Sequence, residues 1–140
     1  MRIVLDTNVL LSATLWEKSS AGKIVIILLE EGCEYFGSEG ILNEYSKVLK
    51  RDFEFSEEEI TENINDVKTF VTLVEPESVE RVVKDDPDDD KIIACAVTAN
   101  AGYLLTYDKH LLRLKHYRMI QIMTPEEFIT QRNEKGAENV

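Results

Sequence analysis

The sequence Arg-Ile-Val-Leu-Asp-Thr-Asn at residues 2–8 joins a short apolar run to a carboxylate and two polar side chains. An apolar run of this length, bounded by polar residues, is typical of a strand buried in a parallel sheet. Asp6 then lies at the carboxyl end of that strand, which is the edge at which open α/β sheets bind their ligands. This stretch therefore predicts an α/β fold and one acid of a functional site.

Strand and helix patterns alternate along the rest of the chain and are joined by short connections. Further apolar runs predict strands at residues 34–37, 72–74, 103–106 and 119–123. Helical patterns lie between them, and their predicted first residues or caps are Ser19, Ser38, Ser56, Pro87 and Thr124, the last opening a short helix around Phe128 and Ile129. This order predicts a three-layer α/β/α sandwich with a mainly parallel four- to five-stranded sheet and right-handed crossovers.

The 140 residues are enough for one domain with its own core. We expect this domain to cover residues 1–131, with a polar, frayed tail at residues 132–140. No apolar run approaches the roughly 20 residues that span a bilayer, and strand-like sequence from Arg2 onwards leaves no room for a signal peptide. The expected protein is therefore cytoplasmic and has no membrane partner. Cys33 and Cys95 lack metal-binding spacing and are expected to be free, buried thiols.

The net charge of −11 is concentrated in one part of the chain. Residues 52–90 hold 15 Asp and Glu against 3 Lys and Arg, a net charge of −12, so the remaining residues carry +1. A basic cluster lies within residues 109–118. The acidic total therefore does not exclude a nucleic-acid partner, because phosphate binding requires only a local basic surface.

Acidic side chains recur at the predicted carboxyl edge of the sheet. They are Asp6 after the first strand, Glu44 at the border of a helical apolar stripe, the run 88–90 that opens a helix, and Asp108 after a later strand. Carboxylates brought together repel and partly protonate unless a cation neutralises them, and Mg²⁺ and Mn²⁺ prefer such oxygen ligands. The pattern predicts metal-assisted displacement at phosphorus.

Each of these residues also has a purely structural interpretation. Asp6, Asp108 and most acids of the run 85–90 are typical helix caps, and Glu44 is a typical solvated helix residue. The neighbouring polar side chains can satisfy local backbone, namely those of Thr7, Asn8 and Thr106. The basic cluster can be a solvated loop. Taken one at a time, the residues leave these alternatives open.

Taken in order, the motifs resemble the PIN-domain family over residues 2–130. Ile-Val-Leu-Asp-Thr-Asn-Val-Leu-Leu-Ser at 3–12 is similar to the family's opening motif, and residues 38–51, centred on Glu44, are similar to its acidic helix. The segments at 86–96 and 103–112 resemble its second half. Thr-Pro-Glu-Glu-Phe at 124–128 is similar to the close of its VapC-like branch, which is regarded as the toxin half of toxin–antitoxin pairs. The resemblance implies a PIN-like, Rossmann-like fold.

Carried over by position, the resemblance implies that the catalytic, metal-binding acids are Asp6, Glu44, Asp89 and Asp108. The family's spacing before Ala96 selects Asp89, with Asp88 or Asp90 as the substitute. The implied supporting residues are Thr7, Asn8, Thr106, Asp88 and Asp90, and the implied RNA-backbone contacts are Lys47, Lys50, Arg51, Lys109 and Arg113. Tyr107 departs from the family, which commonly has a small residue there; a tyrosine would narrow the pocket or stack on a base.

The function implied by the resemblance is a Mg²⁺- or Mn²⁺-dependent endoribonuclease that holds one or two ions and acts as the toxin of a type II toxin–antitoxin pair. Water attack on the phosphodiester would leave 5′-phosphate and 3′-hydroxyl ends. The implied partners are the RNA substrate, a small antitoxin that inserts into the groove, and a second copy in a homodimer.

Two alternatives remain at the level of the sequence. The first is a catalytically idle RNA- or protein-binding module on the PIN fold, in which the acids survive as helix caps. The second is a phosphotransfer domain of the receiver or phosphatase type, which also places an Asp after its first strand. Against the second, a single Asp follows this strand, and Asn8 stands where a phosphatase has another Asp.

Overall fold

A computed structural model describes residues 1–76 and 89–138, with every side chain in these ranges except those of Asp89 and residues 135–138. Pro87 and Asp88 lie outside the described residues. The predicted helix start at Pro87, and the role of Asp88 as a supporting residue or substitute ligand, therefore stay predictions.

The described residues form alternating strands and helices. Their six strands are β1 (Arg2–Leu5), β2 (Glu34–Gly37), β3 (Val71–Leu73), β4 (Tyr103–Leu105), β5 (His116–Tyr117) and β6 (Ile120–Met123). Their seven helices are α1 (Thr7–Leu15), α2 (Ser20–Glu30), α3 (Glu39–Phe53), α4 (Glu57–Phe70), α5 (Asp89–Thr98), α6 (Lys109–Leu114) and α7 (Pro125–Glu138).

The strands form one sheet with the order β3-β2-β1-β4-β6-β5, so that β1 lies near its centre. Val4 pairs with Phe36 on one side and with Leu104 on the other. Every neighbouring pair in this described sheet is parallel except β5 with β6. The predicted α/β sandwich and mainly parallel sheet are confirmed; beyond its five parallel strands, the two-residue β5 adds an antiparallel edge that the sequence did not predict.

Helices cover both faces of the sheet and bury its central strands. α2 packs against α1 and α7, whereas α5 packs against β1, β2 and β4. Ile3 and Val4 are fully buried, as are Leu28 on α2 and Tyr45 on α3. Burying an apolar side chain of this size stabilises a fold by about 1.5–3 kcal/mol, so the core holds β1 firmly in place.

Serine caps begin three helices where the sequence predicts them. Ser19, Ser38 and Ser56 each accept a hydrogen bond from a backbone N–H in the first turn of the following helix. Ser56 and Glu59 complete a reciprocal capping box. A cap of this kind contributes about 1 kcal/mol. These caps fix the residues at which α2, α3 and α4 begin.

Several elements differ from the sequence predictions. α1 follows β1 directly and was not predicted, because its consecutive buried residues Val9, Leu10 and Leu11 hide the helical period. The segment 109–118, for which a loop was one alternative, contains α6 and β5. α7 is longer than the short helix predicted around Phe128, and it continues beyond residue 131 to Glu138. The boundary between a domain at 1–131 and a frayed tail at 132–140 stays a prediction.

Two further features concern cysteines and membranes. Cys33 and Cys95 are free and buried, as predicted. Burial also raises the pKa of the Cys95 thiol to about 11, which keeps it protonated and unreactive at neutral pH. Of the helices in the described part of the chain, none combines the length and the apolar character that crossing a membrane requires.

Candidate metal centre

Three of the four predicted acids lie at the carboxyl edge of the sheet. Asp6 follows β1 and Asp108 follows the neighbouring β4, and the Asp6 N–H continues the pairing by donating to the Leu105 carbonyl at 3.0 Å. Glu44, on α3, reaches the same edge, because Thr7 Oγ1 donates a hydrogen bond to Glu44 Oε2 at 3.1 Å. The fold therefore brings together acids that are far apart in the sequence.

Asp6 is the most enclosed of these acids, with only 6% of its surface exposed. Its Oδ1 accepts a hydrogen bond from the Thr7 N–H at 2.7 Å, which caps α1. Its Oδ2 accepts a hydrogen bond from Thr106 Oγ1 at 2.6 Å. Both oxygens are thus held in fixed positions at the end of the central strand.

The surroundings of Asp6 oppose its negative charge. The pKa of Asp6 is raised from 3.8 to about 6, mainly by burial and to a smaller extent by the nearby charges of Glu44 and Asp108, against the two hydrogen bonds that lower it. A carboxylate that is buried among other acids without a cation is unfavourable when ionised. The site therefore favours a positive ligand beside Asp6.

Two threonines connect the acids to one another. Thr106 is fully buried; its hydroxyl donates to Asp6 and accepts from the Asp108 N–H at 2.9 Å. Thr7 is buried and joins Glu44 to the first turn of α1. Both threonines thus make the kind of contact expected of supporting residues. Asn8 differs, since it is exposed and makes no side-chain hydrogen bond to the part of the chain that the structure describes.

Asp108 is also the N-cap of α6. Its Oδ1 accepts hydrogen bonds from the N–H groups of His110 and Leu111 at 2.8 and 3.2 Å. No donor among the described residues contacts its Oδ2, and the same holds for Glu44 Oε1. In each of these carboxylates, one oxygen therefore supports the local structure, and the other is available to a ligand.

The third predicted acid lies on the first turn of α5. Asp89 is the first residue of this helix, but its side chain is outside the described set; Asp90 is half-buried and has an interacting partner. The choice among Asp88, Asp89 and Asp90 stays a prediction. Among the described side chains, no three His, Cys, Asp or Glu residues form a group that could hold a metal ion. The donor chemistry at this edge nevertheless fits a hard divalent cation, because its groups are carboxylate oxygens beside a buried Asp6.

Tyr107, the residue that departs from the family pattern, is hydrogen-bonded to helix α7. Its hydroxyl donates to the carboxylate of Glu126 on α7, at 2.8 Å from each oxygen, and Ser20 Oγ donates to the same carboxylate at 2.8 Å. Burial, followed by the contact with Glu126, raises the pKa of Tyr107. The sequence did not indicate Glu126 or Ser20 as neighbours of the site, because their positions depend on how α7 and α2 pack.

The predicted RNA contacts fall into two groups. Lys47, Lys50 and Arg51 are exposed on α3, but Lys50 pairs with Glu57 at 3.2 Å and Arg51 with Asp52 at 2.8 Å. Lys109 and Arg113 are exposed on α6 and have no ion pair with the described residues. Lys109 and Arg113 are therefore better placed to hold a phosphate than Lys50 and Arg51; Lys47 likewise has no ion pair with the described residues.

Comparison with known proteins gives a family match, a relative by sequence and similar solved structures. The family model described as PIN domain matches residues 2–110. An uncharacterized protein, MJ1680, of Methanocaldococcus jannaschii is 29% identical over 143 residues, covering 94% of this chain and 91% of that protein. The family match spans Asp6, Glu44, Asp89 and Asp108.

Solved structures share the fold at low identity. The structure of VapBC2 from Rickettsia felis, bound to a DNA fragment from their promoter, aligns with a TM-score of 0.64 and 14% identity over 87% of this chain and 98% of that chain. VapBC-1 from nontypeable Haemophilus influenzae aligns with a TM-score of 0.60 and 18% identity over 90% and 99%. At these identities the likeness shows a common fold. Because the family model covers well over half of the sequence, the chain belongs to the PIN domain family.

Proposed function

We propose that this protein is a Mg²⁺- or Mn²⁺-dependent endoribonuclease that hydrolyses RNA in the cytoplasm as the toxin of a type II toxin–antitoxin pair. The main support is Asp6, a buried carboxylate whose pKa is raised to about 6 at the carboxyl edge of a PIN fold. A neutral side chain at this position would stabilise the metal-free fold at least as well as Asp6 does. Its position is better explained by a cation that it binds.

In this proposal Asp6, Glu44, Asp89 and Asp108 hold one or two divalent ions. When bound, the cation supplies a Lewis acid that lowers the pKa of water and stabilises charge on the leaving oxygen. Thr106 keeps the Asp6 carboxylate oriented, and its second contact, with the Asp108 N–H, keeps the two acids at a constant separation. Glu44 is exposed and is free to turn its second oxygen towards a ligand.

Cleavage of a single-stranded RNA with labelled ends tests this proposal. We expect cleavage with Mn²⁺ or Mg²⁺, none in the presence of EDTA, and products with 5′-phosphate and 3′-hydroxyl ends. Asp6→Asn, Glu44→Gln and Asp108→Asn should each reduce cleavage. Glu62→Gln is the matched control, because it removes one exposed acid on α4 that has no hydrogen bond with Asp6, Glu44 or Asp108. Equal effects of Glu62→Gln and Asp6→Asn would contradict the proposal.

A second candidate is the catalytically idle binding module. It is favoured by the capping contacts of Asp6 and Asp108, and by the lack of a group of three metal ligands among the described side chains. RNA binding without cleavage in a clean preparation supplied with Mn²⁺ would support it. The phosphotransfer alternative has no remaining support, because the chain belongs to the PIN domain family.

We also propose a protein partner, either the small antitoxin or a second copy of the chain. The two solved structures described above are those of VapBC2 and VapBC-1. In this chain, several apolar side chains on α1, α2 and α3 or next to them are exposed, namely Trp16, Ile26, Ile27, Leu29 and Phe53. Light scattering of the purified chain, alone and with the product of a small adjacent reading frame, distinguishes a homodimer, a complex and a monomer.

A further inference from the structure

The segment 109–125 differs in charge from the rest of the chain. It holds four Lys and Arg and no Asp or Glu, whereas the whole chain has a net charge of −11, so the other residues together carry −15. The acid-free stretch just before it, at residues 91–107, has a single cation, Lys91. The segment 109–125 is therefore the part of this acidic protein that offers a polyanion the most positive local potential.

This segment forms the outer edge of the sheet. It starts directly after Asp108 at the candidate metal centre and continues through α6 to β5, the last strand of the sheet. It then returns through β6, with which β5 pairs antiparallel. A tight turn at Arg118 and Met119 joins β5 to β6, since Tyr117 pairs with Ile120. Because β6 runs parallel to β4, the turn lies at the amino end of the strands, about 13 Å from the carboxyl edge.

The cations of this segment are available to a ligand. Lys109, Arg113, Lys115 and Arg118 are all exposed, and we call this set the basic edge. None of them forms an ion pair with a described residue, whereas Lys50 and Arg51 on α3 are paired with acids. The difference matters because a paired cation must leave its acid before it can bind a phosphate.

The turn at the far end of the basic edge has unusual residues. Arg118 has a φ of 54° and Lys115 a φ of 61°, in the left-handed region that favours Gly and Asn. A two-residue hairpin turn usually contains Asn-Gly or Asp-Gly. Here the Arg118 guanidinium lies 5.3 Å from the Tyr117 ring centre, and Met119 is 89% exposed. A strained turn that presents a cation, an aromatic ring and a thioether is typical of a functional surface.

We propose that the basic edge is a binding track for single-stranded RNA, which leads one side of the substrate from the candidate metal centre along α6 to the turn at Arg118 and Met119. The track rests on the proposed ribonuclease function. Its cations contact phosphates, and Met119, which is 89% exposed, offers apolar surface beside them. Contacts to phosphates hold a strand without reading its sequence. Lys50 and Arg51 on α3, which are already paired with acids, take no comparable part.

Fluorescence anisotropy tests the track. A labelled 12-nucleotide single-stranded RNA of mixed sequence is titrated with full-length protein that carries Asp6→Asn, so that the RNA stays intact. Adding Lys115→Gln and Arg118→Gln should weaken binding about tenfold and lower the slope of log K against log salt by about 1.4, which is about 0.7 for each phosphate that is no longer neutralised. The matched control, Lys50→Gln with Arg51→Gln, removes the same charge and should change binding less than twofold.

Two further measurements separate the track from simpler explanations. A dinucleotide is too short to span the about 13 Å from the carboxyl edge to the turn, so its weaker binding at the metal centre should not depend on Lys115 or Arg118. Arg118→Gly relieves the backbone strain at a left-handed φ and also removes a charge. This variant should therefore have a higher melting temperature and still bind the long RNA more weakly. A basic-edge variant that binds the long RNA like the α3 control would overturn the proposal, as would equal weakening for both RNA lengths.

A failure of the proposed track can be distinguished from a failure of the proposed ribonuclease function. Cleavage by the wild-type protein with Mn²⁺ is measured alongside binding. If the wild type cleaves RNA and the basic-edge variants bind RNA as tightly as it does, the track is refuted and the ribonuclease function is supported. Binding that depends on the basic edge, without cleavage by the wild type, supports the track and refutes the ribonuclease.

Discussion

Asp6 and Glu44 lie at the same edge of the sheet but in opposite surroundings. Asp6 is 6% exposed, capped against α1 and held by Thr106, whereas Glu44 is exposed on α3 and has a single hydrogen bond, from Thr7. The buried acid carries the raised pKa, because burial penalises its charge. In the proposed metal site, Asp6 would set the position of the cation at the expense of stability, while Glu44 would contribute charge with little effect on stability.

The largest expected effect comes from Asp6→Asn. Cleavage should fall about 1,000-fold, equivalent to about 4 kcal/mol, because the best-placed oxygen ligand is removed. The same change should stabilise the metal-free protein at pH 7, since it removes a buried charge. Urea unfolding in EDTA measures the second effect, and a destabilised Asp6→Asn protein would show that the carboxylate supports the fold. Mn²⁺ at about 100 times its Kd should stabilise the wild type by about 2.7 kcal/mol and the variant by much less.

The pH dependence of stability provides a related prediction. The folded-state pKa of Asp6 lies above its unfolded value of 3.8, at about 6, so the folded state binds the proton more tightly. Stability of the metal-free protein should therefore fall as the pH rises from about 4 to about 6.5, by up to about 3 kcal/mol from this group. Urea unfolding of wild type and Asp6→Asn at several pH values isolates the contribution. Parallel curves would contradict the burial of the charge.

Glu44→Gln should reduce cleavage about 100-fold while leaving the free energy of unfolding within about 0.5 kcal/mol of wild type. The reason is that Glu44 is exposed and its one hydrogen bond can be kept by the glutamine oxygen. Parallel measurements on Asp6→Asn make the difference between the two acids quantitative. A gain in stability for both variants would show that their surroundings are alike.

Thr106→Val should reduce cleavage about tenfold, because a group that orients a ligand is worth about 10–100-fold. The variant leaves the Asp108 N–H without its acceptor and Asp6 Oδ2 without its donor. The hydrogen bond from Thr106 lowers the pKa of Asp6, so its removal should move the acid limb of the pH–rate profile to higher pH. A lower rate with an unchanged profile would indicate misfolding, and Thr14→Val on α1 is the control.

Tyr107→Phe should have the smallest effect, a decrease of about 1 kcal/mol in stability with cleavage within about twofold of wild type. Its hydroxyl donates a hydrogen bond to Glu126 on α7, and it has no hydrogen bond with Asp6, Glu44 or Asp108. A double-mutant cycle with Glu126→Gln measures the interaction energy. A large fall in cleavage would instead assign the tyrosine ring to substrate binding.

Local sequence was sufficient for five of the six described strands and for most helix starts. β1, β2 and β6 are short apolar runs, and Ser19, Ser38 and Ser56 are capping residues whose side chains need only the next turn. α1 and β5 were not predictable in the same way. α1 has an unbroken apolar run, and β5 is a strand only because β6 lies beside it.

Adjacent residues alone specify the α/β class, the PIN motifs and the acids that follow β1 and β4, because strand ends and helix caps are encoded locally. The depth at which Asp6 is buried, the hydroxyls that contact it and the cations already paired with acids follow only from the folded chain. These properties depend on residues up to 100 positions apart, such as Thr106 and Asp6, which the parallel pairing of β1 with β4 brings into contact. Desolvation and hydrogen bonding act through space, so the charge at the end of β1 acquires its raised pKa only when the sheet and its helices are assembled around it.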